Sequence, residues 1–383
     1  MIKNRIKQLR KKFNIFNIDG YIIPKNDEFF SEYASKDRLK TISNFSGSAG
    51  IAIILKKTNY LFVDGRYTLQ AEKESGNIFK IINYEKIVNC ELFKNLTLGL
   101  DPKLFTSDQI NKYFKENNNI KTINKNLIDT VFNKYSHTSK PFFSLKNDIV
   151  GENHLKKIDK VSKFLRENKV NYLFISAPEN VAWLLNIRGY DSPNSPIPNC
   201  RLIIDSNKCL YFISELKKAK KLIQEKKIKR KQIIDPVNFK ILVEKLKFGK
   251  IIIDNKSCSL FYEDLLSKKF KILKYQDPVY LLKSIKNKKE ISHMIKSHIL
   301  DGVALTKFIY WIKKINKKKI TEVEAAEKLK KFRKMNKNFL YPSFDTIAGS
   351  GKNGAIVHYR ADKNNCRTIK KKDIFLCDSG GQY

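Results

Sequence analysis

One order of elements occurs twice in this chain, the second copy about 150 residues after the first; a period that long excludes a solenoid and points to a duplicated α/β unit. The first copy opens on an amphipathic helix, with Ile2, Ile6, Leu9 and Phe13 spaced as one helical face. An apolar strand follows at 20–23. Two more, at 51–55 and 60–63, are joined by Lys56-Lys57-Thr58-Asn59 and read as a β-hairpin. A further strand at 98–100 ends in Asp101-Pro102. In the second copy the helical face is Leu155, Ile158, Val161 and Leu165, and the first strand is 172–175. Its hairpin is 202–204 and 210–213 around a turn at 205–208, and its later strand, 251–253, ends in Asp254. Strands this continuously apolar are expected in a mixed sheet covered by helices on both faces. Polar residues at 133–146, with Pro141, and the dipeptide Asp277-Pro278 mark the boundaries, giving domains at 1–140, 141–280 and 281–383.

The third region has a different pattern. A long helix carries the stripe Ile291, Met294, Ile295, Ile299, Val303 and Ile309. Thr321 and Glu324 form a capping box, and the helix after it presents Ala325, Leu329 and Phe332. Short strands are expected at 346–348, 355–358 and 374–377. An α+β region that closes after so few strands reads as a domain cut short.

Charge and cysteine content narrow the function classes. Lys and Arg total 76 against 38 Asp and Glu, a formal net charge of +38. Lysine is spread through the chain, with runs at 217–231, 313–319 and 370–372, beside abundant Asn and Ile. All three residues have AT-rich codons, so the charge reads as a compositional bias of solvated positions. A nucleic-acid groove would interleave Arg and aromatic residues on one face. No specific nucleic acid is therefore expected, only salt-sensitive attraction to polyanions. Six cysteines lack CxxC spacing and read as reduced thiols of a cytoplasmic protein. The apolar runs are far too short to span a membrane, and no signal peptide follows the basic start.

Candidate chemistry concentrates near the end. Gly349-Ser350-Gly351-Lys352-Asn353-Gly354 is a flexible loop without the spacing of a phosphate loop. After it, a strand at 355–358 would aim His358 and Ile356 to one side and Val357 and Tyr359 to the other. His358 reads either as an ordinary surface or core histidine or as a catalytic one. Asp378 ends the apolar run 374–377 and begins Asp378-Ser379-Gly380. It is either a turn-initiating residue or a metal ligand, since a carboxylate on a buried strand needs a partner. Its neighbour Cys377 faces the other way and is not proposed as a ligand.

The stretch 351–359, followed by Leu376-Cys377-Asp378-Ser379-Gly380, resembles the start of the catalytic domain of Xaa-Pro aminopeptidases, the three-domain type of metallopeptidase family M24. In that family a catalytic His in an N-x-A-x-x-H-Y setting precedes the first metal-ligand Asp by the separation found between His358 and Asp378. Asn44-Phe45-Ser46-Gly47-Ser48-Ala49-Gly50 and the stretch from Val63-Asp64-Gly65-Arg66-Tyr67 to Ala71 are similar to the family's first domain. Residues 182–189, with Trp183 and Arg188, resemble its second domain, and Glu290, His298 and Asp301-Gly302-Val303-Ala304 resemble the helix opening its third.

The resemblance implies two creatinase N-terminal-like, ribonuclease H-like α/β domains followed by an α+β pita-bread domain. It implies two divalent cations, most often Mn2+, held by two Asp, one His and two Glu. Of these ligands the chain supplies Asp378; the others are expected beyond Tyr383, so the chain alone is expected to be inactive. The implied reaction is hydrolysis, by a metal-activated hydroxide, of the bond between an N-terminal residue and a following proline. His358 would donate a hydrogen bond to the substrate. Peptides with proline second are the implied partners, and a homodimer the implied assembly. A dipeptide-specific prolidase and a non-catalytic pita-bread binding module are the alternatives. Asp64 and Arg188 read as a tight turn and as a partner for Asp191, or as substrate contacts; Trp183 reads as core.

Overall fold

The computed structural model describes residues 1–88, 90–114, 119–132, 140–314 and 319–383. Residues 133–139 of the expected first boundary, and 315–318 of one lysine run, lie outside the described residues.

Strands β1 (Gly20–Pro24), β2 (Ile51–Leu55), β3 (Asn59–Val63), β4 (Lys80–Asn83), β5 (Thr97–Leu100) and β6 (Asn119–Thr122) form one sheet in the order β4-β3-β2-β1-β5-β6. β1 pairs antiparallel with β2 and parallel with β5; β2 and β3 make the expected antiparallel hairpin. The period-two geometry of a strand explains why these runs are apolar throughout. Tyr21, Ile23, Ala52 and Ile54 point to one face, where Ile6, Leu9 and Phe13, on and just after helix α1 (Ile2–Arg10), cover them. Ile22, Ile53, Phe62 and Leu98 point to the other, against Leu104, Phe105 and Phe114. Each fully buried Ile or Phe stabilises the fold by roughly 1.5–3 kcal/mol.

The second copy repeats this topology strand for strand. β7 (Tyr172–Ile175), β8 (Arg201–Asp205), β9 (Leu210–Ile213), β10 (Ile233–Ile234), β11 (Lys250–Ile253) and β12 (Lys271–Lys274) lie in the order β10-β9-β8-β7-β11-β12. β7 is antiparallel to β8 and parallel to β11, as β1 is to β2 and β5. The helix His154–Glu167 buries Ile158, Val161 and Leu165 on the sheet, but Leu155 is exposed. At 100° per residue Leu155 points roughly 90° away from the mean direction of the other three, so the expected face is narrower by one residue.

The two sheets belong to one compact unit, residues 1–192 and 196–285. Backbone hydrogen bonds stitch them, from Leu260 N–H to the Phe105 carbonyl (2.7 Å) and from Phe261 N–H to the Pro102 carbonyl (3.0 Å). The buried Arg201 guanidinium stacks on Phe29 and Tyr262 and donates to the Glu28 carbonyl.

The helix Pro278–Ser284 closes this unit, and Val279 packs into the core of the second sheet. Its N-cap, Asp277, is 2% exposed. One carboxylate oxygen accepts from Val279 N–H (2.9 Å), the other from Asn180 Nδ2 (2.7 Å), and its own N–H donates to Asp254. Burial raises the Asp277 pKa to about 6; the hydrogen bonds from Asn180 and Val279 oppose the rise and the Asp254 charge adds to it. A proton held more tightly in the folded state stabilises at low pH, and that contribution is lost as pH rises through the folded value. The stability of wild type relative to Asp277→Asn is therefore expected to fall by about 2–3 kcal/mol between about pH 4 and 7. Urea unfolding of both proteins across that window checks it; parallel pH profiles would refute it.

The second unit comprises residues 193–195 and 286–383. Helix Lys288–Lys314, here α7, packs on helix Glu322–Lys334, here α8, through Ala304, Phe308, Ala325 and Leu329. The sequence stripe on α7 is a different face. Ile291, Met294, Ile295, Ile299, Val303 and Ile309 are between 45% and 62% exposed. Periodicity finds an apolar face, but α8 takes the side of α7 that holds Phe308, with Leu305, Trp311 and Ile312. The capping box forms as expected: Thr321 Oγ1 accepts from Glu324 N–H, and the Glu324 carboxylate accepts from Thr321 N–H. All six cysteines are free. Among the described residues no helix is long and apolar enough to cross a membrane.

Candidate active site

Strands β13 (Ile347–Ser350) and β14 (Phe375–Asp378) pair antiparallel, with Ile347 opposite Asp378 and Ser350 opposite Phe375. Phe375 and Cys377 face the cluster around Phe308, while Leu376 and Asp378 are exposed. Leu376 and Asp378 thus lie on the exposed side of this strand in the chain described, with Asp378 at its end. Cys377 does lie on the other face; burial pushes its thiol pKa up.

The expected strand at 355–358 does not form. Gly351–Ala355 is a 3-10 turn, closed onward by Ile356 N–H to the Asn353 carbonyl and Tyr359 N–H to the Ile356 carbonyl, both 3.2 Å. Gly351 has φ +55°, the left-handed region open to glycine. The turn folds back so tightly that a Cβ on Gly349 would lie 2.9 Å from the Asn353 carbonyl. One on Gly354 would touch Leu376 Cβ at 3.7 Å. The turn therefore lies against Leu376, on the face of β14 that also carries Asp378. His358, half-buried at its end, has φ +55°, so alternation along a strand does not decide its direction.

The turn is hydrogen-bonded to Glu322, the first residue of α8, whose side chain is fully buried. Its Oε1 accepts from Ser350 N–H (2.7 Å) and Asn353 Nδ2 (3.1 Å). Its Oε2 accepts from the Tyr359 hydroxyl (2.8 Å), Arg367 N–H (2.8 Å) and Asn353 Nδ2 (3.1 Å). Asn353 and Tyr359, the polar residues bracketing His358, meet on one carboxylate. Burial, then the hydrogen bond and negative charge of Glu322, push the Tyr359 hydroxyl pKa well above its ordinary value.

A second network holds the other arm. Arg333, near the end of α8 and 1% exposed, makes a bidentate ion pair with Asp301 of α7 (2.7 and 2.9 Å) and donates to Ser379 Oγ (3.1 Å). The Tyr383 hydroxyl donates to Asp301 (2.6 Å). Burial pushes the Asp301 carboxyl up, but Arg333 and Tyr383 outweigh it and hold its pKa below the ordinary value. Ser379 adjoins Asp378, so this network fixes the backbone beside the candidate ligand.

The sequence signals missed Glu322 and Arg333. Glu322 reads as a second acid beside a capping box, and Arg333 as one more cation among the lysines of α8. The remaining singled-out residues have structural settings. Asp64 accepts from Arg66 N–H in a tight turn and pairs with the Arg66 side chain. Arg188 donates to the Ile187 carbonyl (2.8 Å), while Asp191 pairs with Lys218 (2.8 Å). Trp183 packs at the edge of a core, with the Lys157 ammonium 3.8 Å from its ring centre. His298 Nδ1 lies 2.9 Å from the Met294 carbonyl.

Among the described residues no three His, Cys, Asp or Glu side chains gather into a metal-holding group. Asp378 offers a hard oxygen donor of the kind that suits Mn2+ or Mg2+, and among the described residues no closed set of such donors joins it.

Comparison with known proteins agrees with the order of these parts. The Creatinase/Prolidase N-terminal domain matches residues 5–130 and again 133–290, and Metallopeptidase family M24 matches 292–383. The chain is 32% identical over 409 residues to Xaa-Pro aminopeptidase ApepP of Drosophila melanogaster, covering 100% of this chain and 66% of that protein. It is 31% identical to the Probable Xaa-Pro aminopeptidase P of Laccaria bicolor (99% of this chain, 62% of that protein) and of Sordaria macrospora (99% and 67%). The chain thus spans 62–67% of the length of these relatives. Its fold matches the crystal structure of X-prolyl aminopeptidase from Caenorhabditis elegans, described as a cytosolic enzyme with a di-nuclear active site. The TM-score is 0.89 at 23% identity, over 100% of this chain and 68% of that one.

Proposed function

We propose, for a chain that belongs to the Xaa-Pro aminopeptidase P family of M24 metallopeptidases, that the whole protein releases the N-terminal residue from peptides with proline in second place. The observation that carries this is local: the turn leading to His358 lies on the face of β14 that carries Asp378, in a chain whose relatives bear that activity as their name.

Proline suits a dedicated site, because its nitrogen has no hydrogen and its ring fixes φ. Two divalent cations, when bound, polarise the scissile carbonyl and lower the pKa of the attacking water. Asp378 would hold one corner of that pair. His358 would donate a hydrogen bond to the carbonyl oxygen as charge develops there. The residues on either side of His358 are hydrogen-bonded to a buried carboxylate, which supports a donor held on an ordered turn before the substrate arrives. We take Mn2+ as the metal, from the oxygen donor and the family resemblance. The same resemblance supports a homodimer, and the six free thiols support a cytoplasmic setting.

The test uses the protein as its gene encodes it, supplied with Mn2+. Expected is release of the first residue from a tripeptide with proline second, none from the same peptide with alanine second, and loss of release with a chelator. Cleavage of the Xaa-Pro dipeptide alone would mark a prolidase instead. No cleavage of either with Mn2+, Co2+ or Zn2+ would overturn the enzymatic reading.

A further inference from the structure

We propose that Glu322 is the positioning residue of the turn that carries His358, a reading that rests on His358 being the group that meets the substrate. A buried carboxylate is unfavourable unless its oxygens are fully hydrogen-bonded. Here the donors come from positions 350, 353, 359 and 367, on both sides of His358. All four are neutral, so the carboxylate acts as a knot for the loop and not as half of an ion pair.

The turn needs such a knot. His358 sits in the left-handed region, which costs a side-chain-bearing residue free energy and persists where the surroundings over-determine it. The two backbone bonds that carry the turn on to Tyr359 are 3.2 Å, longer than the 2.7 and 2.8 Å bonds from Ser350 and Tyr359 to Glu322; those from Asn353 are 3.1 Å. The competing role for Glu322 is that of an acid favourably placed in the first turn of α8. Glu324 already serves that helix end through the capping box, whereas both oxygens of Glu322 accept from the loop. A helix-end role predicts fraying of α8 on substitution; a positioning role predicts a loosened turn on an intact helix.

The test is Glu322→Gln in this chain, read by amide hydrogen exchange and by the imidazole NMR signals of its five histidines. Gln keeps the size but turns one acceptor into a donor facing donors. Exchange over 350–360 is expected to be about 10–100-fold faster, the effect of losing a hydrogen bond to a charged group. Exchange in α7 and in both six-stranded sheets should be unchanged, and the His358 signal should be the one that moves. Unchanged exchange in the turn, with an unmoved His358 signal, would overturn the proposal. So would faster exchange confined to the start of α8.

Tyr359→Phe is the second variant, since it removes one donor and leaves the carboxylate in place. Exchange over 353–360 is then expected to be about 3–10-fold faster with α8 still protected; no change there overturns the proposal even if Glu322→Gln fails to fold. In the complete protein Glu322→Gln should lower kcat while KM holds. If His358 variants stay active while the exchange results stand, the role of His358 falls and the hold of Glu322 on the turn survives.

Discussion

Replacing Arg38 with methionine is expected to destabilise the first unit by about 3 kcal/mol, the lower end of the range for breaking a buried ion pair. Arg38 begins the helix Arg38–Ser43 and is 1% exposed. Its Nε and Nη2 donate to the two Asp129 oxygens, both at 2.8 Å, and Nη2 also reaches Glu28 at 2.6 Å. Burial opposes the guanidinium charge, but the two carboxylates outweigh it and hold its pKa above the ordinary value. Without it, Glu28 and Asp129 face each other near Asp27 and Asp101, whose carboxyls burial already pushes up. The two partners keep 27% exposure, so water screens part of the loss. Adding Asp129→Asn and Glu28→Gln to the variant should restore part of the stability, because the unpaired charge is the cause. Urea unfolding measures both proteins. A loss below about 1 kcal/mol would mean that the pair behaves as an exposed one.

The second large effect concerns chemistry. His358→Ala in the complete protein is expected to lower kcat about 100- to 1000-fold, equivalent to about 2.7–4 kcal/mol, as for loss of one donor aimed at developing charge. Bound metal should stay at its wild-type level. Alanine also tolerates the left-handed backbone poorly, so the turn itself could shift. His358→Asn separates the two causes, because Asn occupies that region readily. Both variants should lose kcat alike. Equal loss of metal and activity would make His358 a support of the metal site and not a donor to the substrate.

Much of the fold was legible because strands buried on both faces leave a direct mark in the residues. Ile51 to Leu55 and Leu210 to Ile213 carry apolar side chains in succession, and both become hairpin strands of matching sheets. The capping box at Thr321 was equally readable, since its partners are three residues apart. What failed depended on distant contacts. The stripe from Ile291 to Ile309 marks a helix that does form; what it does not reveal is that α8 packs on another side of that helix. The run 355–358 has strand-like residues, yet hydrogen bonds from Asn353 and Tyr359 to a residue some thirty positions earlier curl it into a turn. Likewise, the resemblance drew attention to His358 and Asp378 but not to Glu322 or Arg333. Nothing local distinguishes a buried Glu or Arg on a helix from the exposed ones beside it.

Helix α8 also works as a gauge. Its first residue grips the loop of His358 and its last turn, through Arg333, grips the residue after Asp378. The spacing between the two grips is therefore counted in helical residues. One residue inserted between them would advance Arg333 by about 1.5 Å and swing it by about 100°, away from both Asp301 and Ser379. The outward-facing lysines of α8 can vary freely in kind, but the number of residues between Glu322 and Arg333 cannot, and lineages of this fold should tolerate exchange along that helix while rejecting any change in its length.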